Sequence, residues 1–137
     1  MNRLLRPLFA LVLLALTACG GLPSRMNSKD DALTDYGVAI RWSEFDQAES
    51  FLDPALREQQ PLTDLDRERF KLIQITGYEV KSRQVEADAS ITQTVEIRVV
   101  TRNTQLEHVI TDHQSWRWEP LAKRYWLTSG LPDFNAR

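Results

Sequence analysis

Apolar and polar positions change rhythm twice along this 137-residue chain. Leu8 to Leu16 is an unbroken apolar run without a charge. It is shorter than the ~20 residues that a membrane-spanning helix requires. Between residues 29 and 60 the rhythm is helical. Ala32, Leu33, Tyr36, Gly37 and Ile40 recur at spacings of three and four, which leaves Lys29, Asp30, Asp31 and Asp35 to solvent. Asp30 and Asp31 are expected near the positive end of that helix's dipole. Ser43-Glu44-Phe45-Asp46 has an N-cap residue followed three positions on by an acid. A second helix is expected to begin there and to bury Phe45, Ala48, Phe51 and Leu52 until Asp53-Pro54 interrupts it. Thr63-Asp64-Leu65-Asp66 predicts a third, short helix that ends at Arg69 or Phe70.

From Ile73 the pattern shifts to β-branched and aromatic residues with period two. It predicts strands over 73–86, 90–102, 105–119 and 124–129, joined by Asp88-Ala89, Asn103-Thr104 and Pro120–Lys123. Joints this short imply an antiparallel meander. They also imply a register. The Asn103-Thr104 turn sets Val99 against His108, Ile97 against Ile110, Val95 against Asp112 and Ile91 against Trp116. The Pro120–Lys123 turn sets Glu119 against Arg124, Trp118 against Tyr125 and Trp116 against Leu127. The Asp88-Ala89 turn sets Val80 against Ile97 and Tyr78 against Val99. One face then collects Tyr78, Val80, Ile91, Val95, Ile97, Val99, Ile110, Trp116, Trp118, Tyr125 and Leu127. The other collects Thr92, Thr94, Glu96, Arg98, Thr111, His113, Ser115 and Arg117. A dry and a wet face imply an α+β domain, with N-terminal helices packed on one face of a curved antiparallel meander of about four strands.

The apolar run near the N-terminus is preceded by Arg3 and Arg6 and followed by Leu16-Thr17-Ala18-Cys19-Gly20. Charge, apolar run and small residues in that order form a secretory signal. Leu16-Thr17-Ala18-Cys19 resembles the lipobox of bacterial lipoproteins. That resemblance implies removal of residues 1–18 as a signal peptide and a lipid on Cys19. Gly20, where inner-membrane lipoproteins carry aspartate, implies the inner leaflet of the outer membrane, facing the periplasm. Cys19 is the one cysteine of the chain, so an exported protein has no internal disulfide to form, and acylation removes its thiol from redox chemistry. At about 0.8 kcal/mol per buried methylene, two or more acyl chains hold a protein at a membrane where one does not. Residues 19–28 then read as the lipidated cysteine and a flexible tether, and 29–137 as a single domain. Two of the 17 basic residues leave with the leader against 19 acidic ones, so the net charge moves from −2 to −4. That balance argues against nucleic acid and against an electrostatic grip on anionic headgroups. The expected partners are the membrane, through Cys19, and an envelope protein or a second copy of the chain.

Three stretches of the mature chain resemble the ketosteroid isomerase / nuclear transport factor two-like (SnoaL-like, cystatin-like) superfamily. They are Trp42–Ala48, Ile75–Val80, and Trp116-Arg117-Trp118 together with Arg124–Pro132. The resemblance implies a cone-shaped domain of helices followed by a curved sheet, normally with six strand segments where this chain offers four. The superfamily holds enzymes, binding modules and assembly domains, so fold does not select a function.

His108 and Asp112 interrupt the dry face, with Ser82, Gln93 and Gln114 on the same side. At roughly 3.3 Å per residue, His108 and Asp112 lie about 13 Å apart, too far for an acid–base pair. Tyr78, Ser82, His108 and Asp112 are the candidate pocket residues. The superfamily's enzymes set a carboxylate base beside a donor to an oxyanion, and Asp112 with Tyr78 or Ser82 would mimic that arrangement. The opposing expectation, polar groups satisfied by backbone or water, carries more weight. The chain has no Ser-His-Asp order, Gly-rich phosphate loop or metal-ligand spacing, so no catalytic residue is assigned. His108 and His113 point to opposite faces, and neither a metal nor a cofactor is expected. On the wet face Trp126, opposite Arg117, is expected to stack on that guanidinium. With Arg98 it forms a candidate interface, a plain surface decoration being the competing reading. The function expected is a non-catalytic envelope binding or assembly module that acts through its sheet face. The alternative is a pocket between helices and sheet that binds or isomerises a small apolar ligand. Filling of that space by Phe45, Phe51 and the tryptophans would remove the alternative.

Overall fold

The computed structural model describes residues 25–134. Cys19, the leader and the start of the tether lie outside the described residues. Four helices come first: α1 (Arg25–Arg41), α2 (Phe45–Glu49), α3 (Pro54–Gln59) and α4 (Asp64–Phe70). Four strands follow: β1 (Ile73–Val85), β2 (Ile91–Thr101), β3 (Glu107–Glu119) and β4 (Arg124–Leu127). The α+β character and the antiparallel sheet are as the sequence predicts.

Helix α1 takes in Arg25–Ser28, which the sequence reading gave to the tether. Its first turn therefore carries no acid, and Asp30 and Asp31 do not serve the dipole as expected. Leu33, Tyr36, Ala39 and Ile40 are its buried residues. Ser43 does not cap α2: the N-cap is Glu44, without a side-chain bond. Ser43 instead ends α1 in the left-handed region, at φ 61°. Its N–H donates to Ile40 O at 2.9 Å and that of Glu44 to Ala39 O at 2.8 Å. This crossed pair satisfies carbonyls that a helix end otherwise leaves open.

Helix α2 ends at Glu49, short of the expected Asp53-Pro54, so Phe51 and Leu52 lie beyond it, and Asp53-Pro54 instead starts α3. The Asp53 carboxylate accepts from Ala55 N at 3.0 Å and Pro54 takes the first helical position of α3, where its missing N–H costs nothing. The chain between the two helices reaches the sheet. Leu127 N donates to Phe51 O at 2.8 Å and Asp53 N to Leu127 O at 2.9 Å. Helix α4 carries the expected start, a reciprocal capping box between Thr63 and Asp66.

The strands run in the order β1-β2-β3-β4. Both later hairpins have the predicted register, from Ile91↔Trp116 to Val99↔His108 and from Trp116↔Leu127 to Glu119↔Arg124. The first hairpin departs from it. Val85 pairs with Ile91, so Glu86–Ser90 forms the loop, with Ala89 at φ 67°. Register shifts then fall between Ile75 and Gly77 and between Val80 and Ser82. Tyr78 consequently opposes Ile97 and Val80 opposes Val95, not Val99 and Ile97. Each extra residue exchanges the two faces of the strand. The dry side of β1 reads Ile75, then Tyr78 and Val80, then Arg83 and Val85. Ser82 moves to the wet side, exposed and opposite Thr94.

The core joins α1 to the strands through aromatic rings. Trp116, 1 % exposed, meets Tyr36 at 5.2 Å and Phe51 at 6.5 Å between ring centres. A second cluster sets Phe45 4.3 Å from Phe70 and 5.1 Å from Phe134. Trp116→Ala is expected to lower stability by about 3–5 kcal/mol, because the surrounding rings cannot close the cavity. Val80→Ala, at a half-open position of the edge strand, should stay within about 0.5 kcal/mol. Urea unfolding midpoints check this, and equal losses would contradict the assignment of the core.

Candidate functional site

The dry face carries a polar row between apolar ones. Arg83 opposes Gln93, and Gln93 opposes Gln114. On one side lie Val85, Ile91, Trp116 and Leu127, and on the other Val80, Val95 and Asp112. Gln93 and Gln114 are the buried polar residues among those described. Gln114 is the hub. Its Oε1 accepts from Gln93 Nε2 at 2.6 Å and from Trp116 Nε1 at 3.3 Å. Its Nε2 donates to Asp112 Oδ2 at 2.7 Å and to the Tyr78 hydroxyl at 3.1 Å. An indole N–H only donates, and a carboxylate only accepts, so these two neighbours orient the amide. Gln93 Oε1 in turn accepts from Arg83 Nε at 2.9 Å.

The tyrosines complete the picture. Burial, with a further contribution from the Asp112 carboxylate, pushes the Tyr78 phenol up to about 12. Tyr36 is raised well above its ordinary value, first by burial and then by the nearby Asp112 carboxylate. Its hydroxyl is buried with no hydrogen-bond partner among the described residues. Burial also raises Asp112, against the bond from Gln114. Both phenols are therefore neutral, near a carboxylate held in a poorly solvated place.

Of the predicted pocket residues, Tyr78 and Asp112 come together through Gln114. Ser82 does not join them, because the bulge turns it outward. His108 lies opposite Val99, four residues along β3 from Asp112, so it too stays apart. Arg83, Tyr36 and Gly37 were missed. The hydrophobic pattern contains no signal for Arg83, whose face depends on the bulge. Tyr36 was readable as a buried helix position, and its hydroxyl was the overlooked clue. Gly37 belongs because a Cβ there would stand 2.9 Å from Tyr78 Cε1. A side chain on α1 would push that ring away.

The network reaches solvent through a groove of about 350 Å³ between α1 and β1. Leu33, Gly37, Tyr78 and Val80 line it, with Val38, Arg41, Trp42 and Arg83 also on its walls. Trp42 is 71 % exposed, Val38 46 % and Val80 42 %. A second hollow of about 420 Å³ has Phe45 and Phe70 in its lining. Four of its charges pair, Arg67 lying 3.0 Å from Asp46 and Lys71 2.6 Å from Glu68, whereas Arg102, also in the lining, donates to Ile73 O at 3.4 Å.

The wet face is also largely self-paired. Lys81 lies 2.9 Å from both Glu79 and Glu96, and Arg98 lies 3.5 Å from Glu79. Arg117 lies 2.6 Å from Asp53 and 2.9 Å from Glu119, and its guanidinium holds the Asp53 carboxyl below the usual range. Trp126 opposes Arg117 as expected, but the cation over its ring is Arg124, at 3.8 Å. Arg117 is drawn away by two carboxylates, a stronger attraction than a ring face. Among the described residues no group of three or more His, Cys, Asp or Glu is placed to hold a metal ion. None of the described helices is long and apolar enough to cross a membrane.

Asp112 supplies a test with a defined sign. Its folded pKa lies above the ordinary value of 3.8, so the folded chain holds the proton more tightly than the unfolded one. The resulting stabilisation is full below the unfolded value and is lost as pH rises through the folded one. Asp112→Asn keeps an acceptor for Gln114 and removes the charge. The stability of the wild type relative to this variant should therefore fall as pH rises from about 4 toward neutrality, as read from denaturant midpoints across pH. Asp53, Asp66 and Glu79, whose pKa values are lowered, act in the opposite sense and cancel in the comparison. A difference that is flat or rises with pH would contradict a poorly solvated Asp112. No protein-family model matches the chain, and comparison with curated proteins and with solved structures also yields no match.

Proposed function

We propose that the chain is a lipid-anchored module of the bacterial cell envelope, cut before Cys19 and held there by lipid, that binds a protein partner without catalysing a reaction. The binding surface in this reading is the groove between α1 and β1. The observation that carries it is the gathering of Val38, Trp42 and Val80, each exposed, along that groove. Over the middle of the sheet the apolar space is already filled by Tyr36, Phe51 and Trp116, and the buried amides satisfy one another. Exposed aromatic and apolar side chains beside arginine match the composition of interface cores. β1 ends the sheet order, so the groove adjoins a strand edge with no strand beyond it among the described residues. The wet face is less suited, because its charges are paired within the chain and a partner would have to displace them. The same reading takes the helices as the cover of the dry face of a curved sheet, in the manner of the superfamily that the sequence resembles. It places the anchor in the inner leaflet of the outer membrane.

A small apolar ligand in the same groove is the second reading. One observation favours it: among the described residues the buried Tyr36 hydroxyl has no hydrogen-bond partner, and Tyr78, a neutral phenol of the same polar network, lines the groove.

Two measurements test the first reading. Fatty-acid labelling of cells should mark the wild type and lose its signal in Cys19→Ala, and equal labelling of both would reject the anchor. A photo-crosslinking residue at position 42 should give an adduct of protein size, whereas one at position 94, on the wet face, should not. Adducts at 94 alone would return the interface to the sheet. No adduct at 42, with competition by an apolar fluorescent probe lost in Tyr78→Ala, would favour the small ligand.

A further inference from the structure

The two hollows differ in the charge of their linings. The one beside Phe45 and Phe70 sets Asp46, Asp64 and Glu68 against Arg67, Lys71 and Arg102. The groove between α1 and β1 has Arg41 and Arg83 in its lining and, among the described residues, no carboxylate. Asp31 and Asp35 are exposed on the same helix but do not form its walls. Arg83 is already engaged, its Nε donating to Gln93 at 2.9 Å. Arg41 is thus the cation that the groove presents to an incoming molecule. It takes part in no ion pair among the described residues. Its Nη1 donates to Ile75 O at 2.6 Å, and its guanidinium lies 6.0 Å from the Trp42 ring centre. A guanidinium carries several N–H donors, so this one bond holds the group in place and leaves others to be matched.

A partner that covers Val38, Val80 and the Trp42 ring also takes water away from Arg41. A cation stripped of water without a counter-charge weakens the contact in which it lies. A carboxylate on the partner replaces that water with a charge-assisted hydrogen bond. Arg41 follows Val38 by three residues, about 4.5 Å along the helix axis. In a segment running along α1, an acid that meets Arg41 while an apolar side chain meets Val38 has a defined spacing. The two are one or two residues apart if the segment is extended, at roughly 3.3 Å per residue, and three or four apart if it is helical. A strand added to β1 would compete with Arg41 for Ile75 O, so contact through side chains is favoured. Small-molecule sites enclose most of their ligand. Walls as exposed as Trp42, Val38 and Val80 cover one side only, which suits a segment carried on a larger surface.

From these observations we propose that the protein segment occupying the groove is acidic. It sets an apolar side chain against Val38 and Val80, and an aspartate or glutamate within four residues of it pairs with Arg41. The inference rests on the groove reading above and names the chemistry of its partner.

The test uses the full-length protein in cell membranes, with the photo-crosslinking residue at position 42. Digestion of the adduct and mass spectrometry identify the partner segment, which should carry Asp or Glu within four residues of the attachment point. Exchange of that acid for Lys in the partner should lower the adduct yield several-fold. Arg41→Glu should lower it as well, and the two exchanges together should restore it. The exchange in the partner leaves the fold of this chain untouched, so a loss there is not misfolding. A segment without an acid, an unchanged yield when the acid becomes Lys, or no restoration by the pair at an unreduced level of the chain would overturn the acidic partner. Each of these outcomes would keep the groove as a protein-binding surface. No protein adduct at position 42, or one of lipid mass, would reject the groove reading itself and the acidic segment with it.

Discussion

A carboxamide shut away from water needs its donors and its acceptor matched, because each unmatched group costs about 1–3 kcal/mol. Gln114 is 1 % exposed and sits in the middle of an apolar sheet face. Its amide is served from three strands: by Tyr78 on β1, by Gln93 on β2, and by Asp112 and Trp116 on β3. This satisfaction holds only in one alignment of the three. A slip of β2 against β3 by a single residue would turn Gln93 to the wet face and leave the Gln114 oxygen short of a donor. The buried amide thus reinforces the register that the apolar residues favour, and it does so where a purely apolar face would tolerate repacking.

The bulges in β1 belong to the same constraint. The register of Tyr78 and Val80, continued without a shift, would place Ser82, not Arg83, opposite Gln93. With the shift between Val80 and Ser82, Arg83 faces the row and donates to Gln93. The shift between Ile75 and Gly77 lets Ile75 and Tyr78 share the dry side. Gly37 on α1 leaves room for the Tyr78 ring. Bulges and a lysine are also devices by which a sheet edge discourages the addition of another strand, and β1 carries both. That favours contact through the α1 side of the groove over backbone pairing along β1.

Charge is distributed in two styles. On the wet face, Lys81, Arg98 and Arg117 are each committed to carboxylates within the chain. Exposed pairs of this kind contribute little stability, but they quiet the surface they occupy. At the groove, Arg41 is left without such a partner among the described residues, beside exposed apolar side chains. The neutral face and the cationic groove give the molecule a direction, and the groove is the side on which the proposed function rests.

The hydrophobic pattern by itself determined the helical half, the four strands, the order of the meander and the register of two hairpins. Alternation on a half-buried sheet and short turns leave few other solutions. It also singled out His108, Asp112, Gln93 and Gln114 as polar residues among apolar ones, with Ser82 wrongly placed beside them. What it did not determine was the first hairpin. A bulge adds a residue without breaking the alternation on either side of it, so the pattern reads the same with or without one. Ser82 and Arg83 exchanged faces for that reason. The partner of Trp126 was likewise decided in three dimensions, since Asp53, distant in sequence, draws Arg117 away. The gathering of Val38, Trp42 and Val80 into one groove required the packing of α1 beside β1. Sequence periodicity reports which face of an element is apolar; only tertiary packing decides which apolar residues remain uncovered.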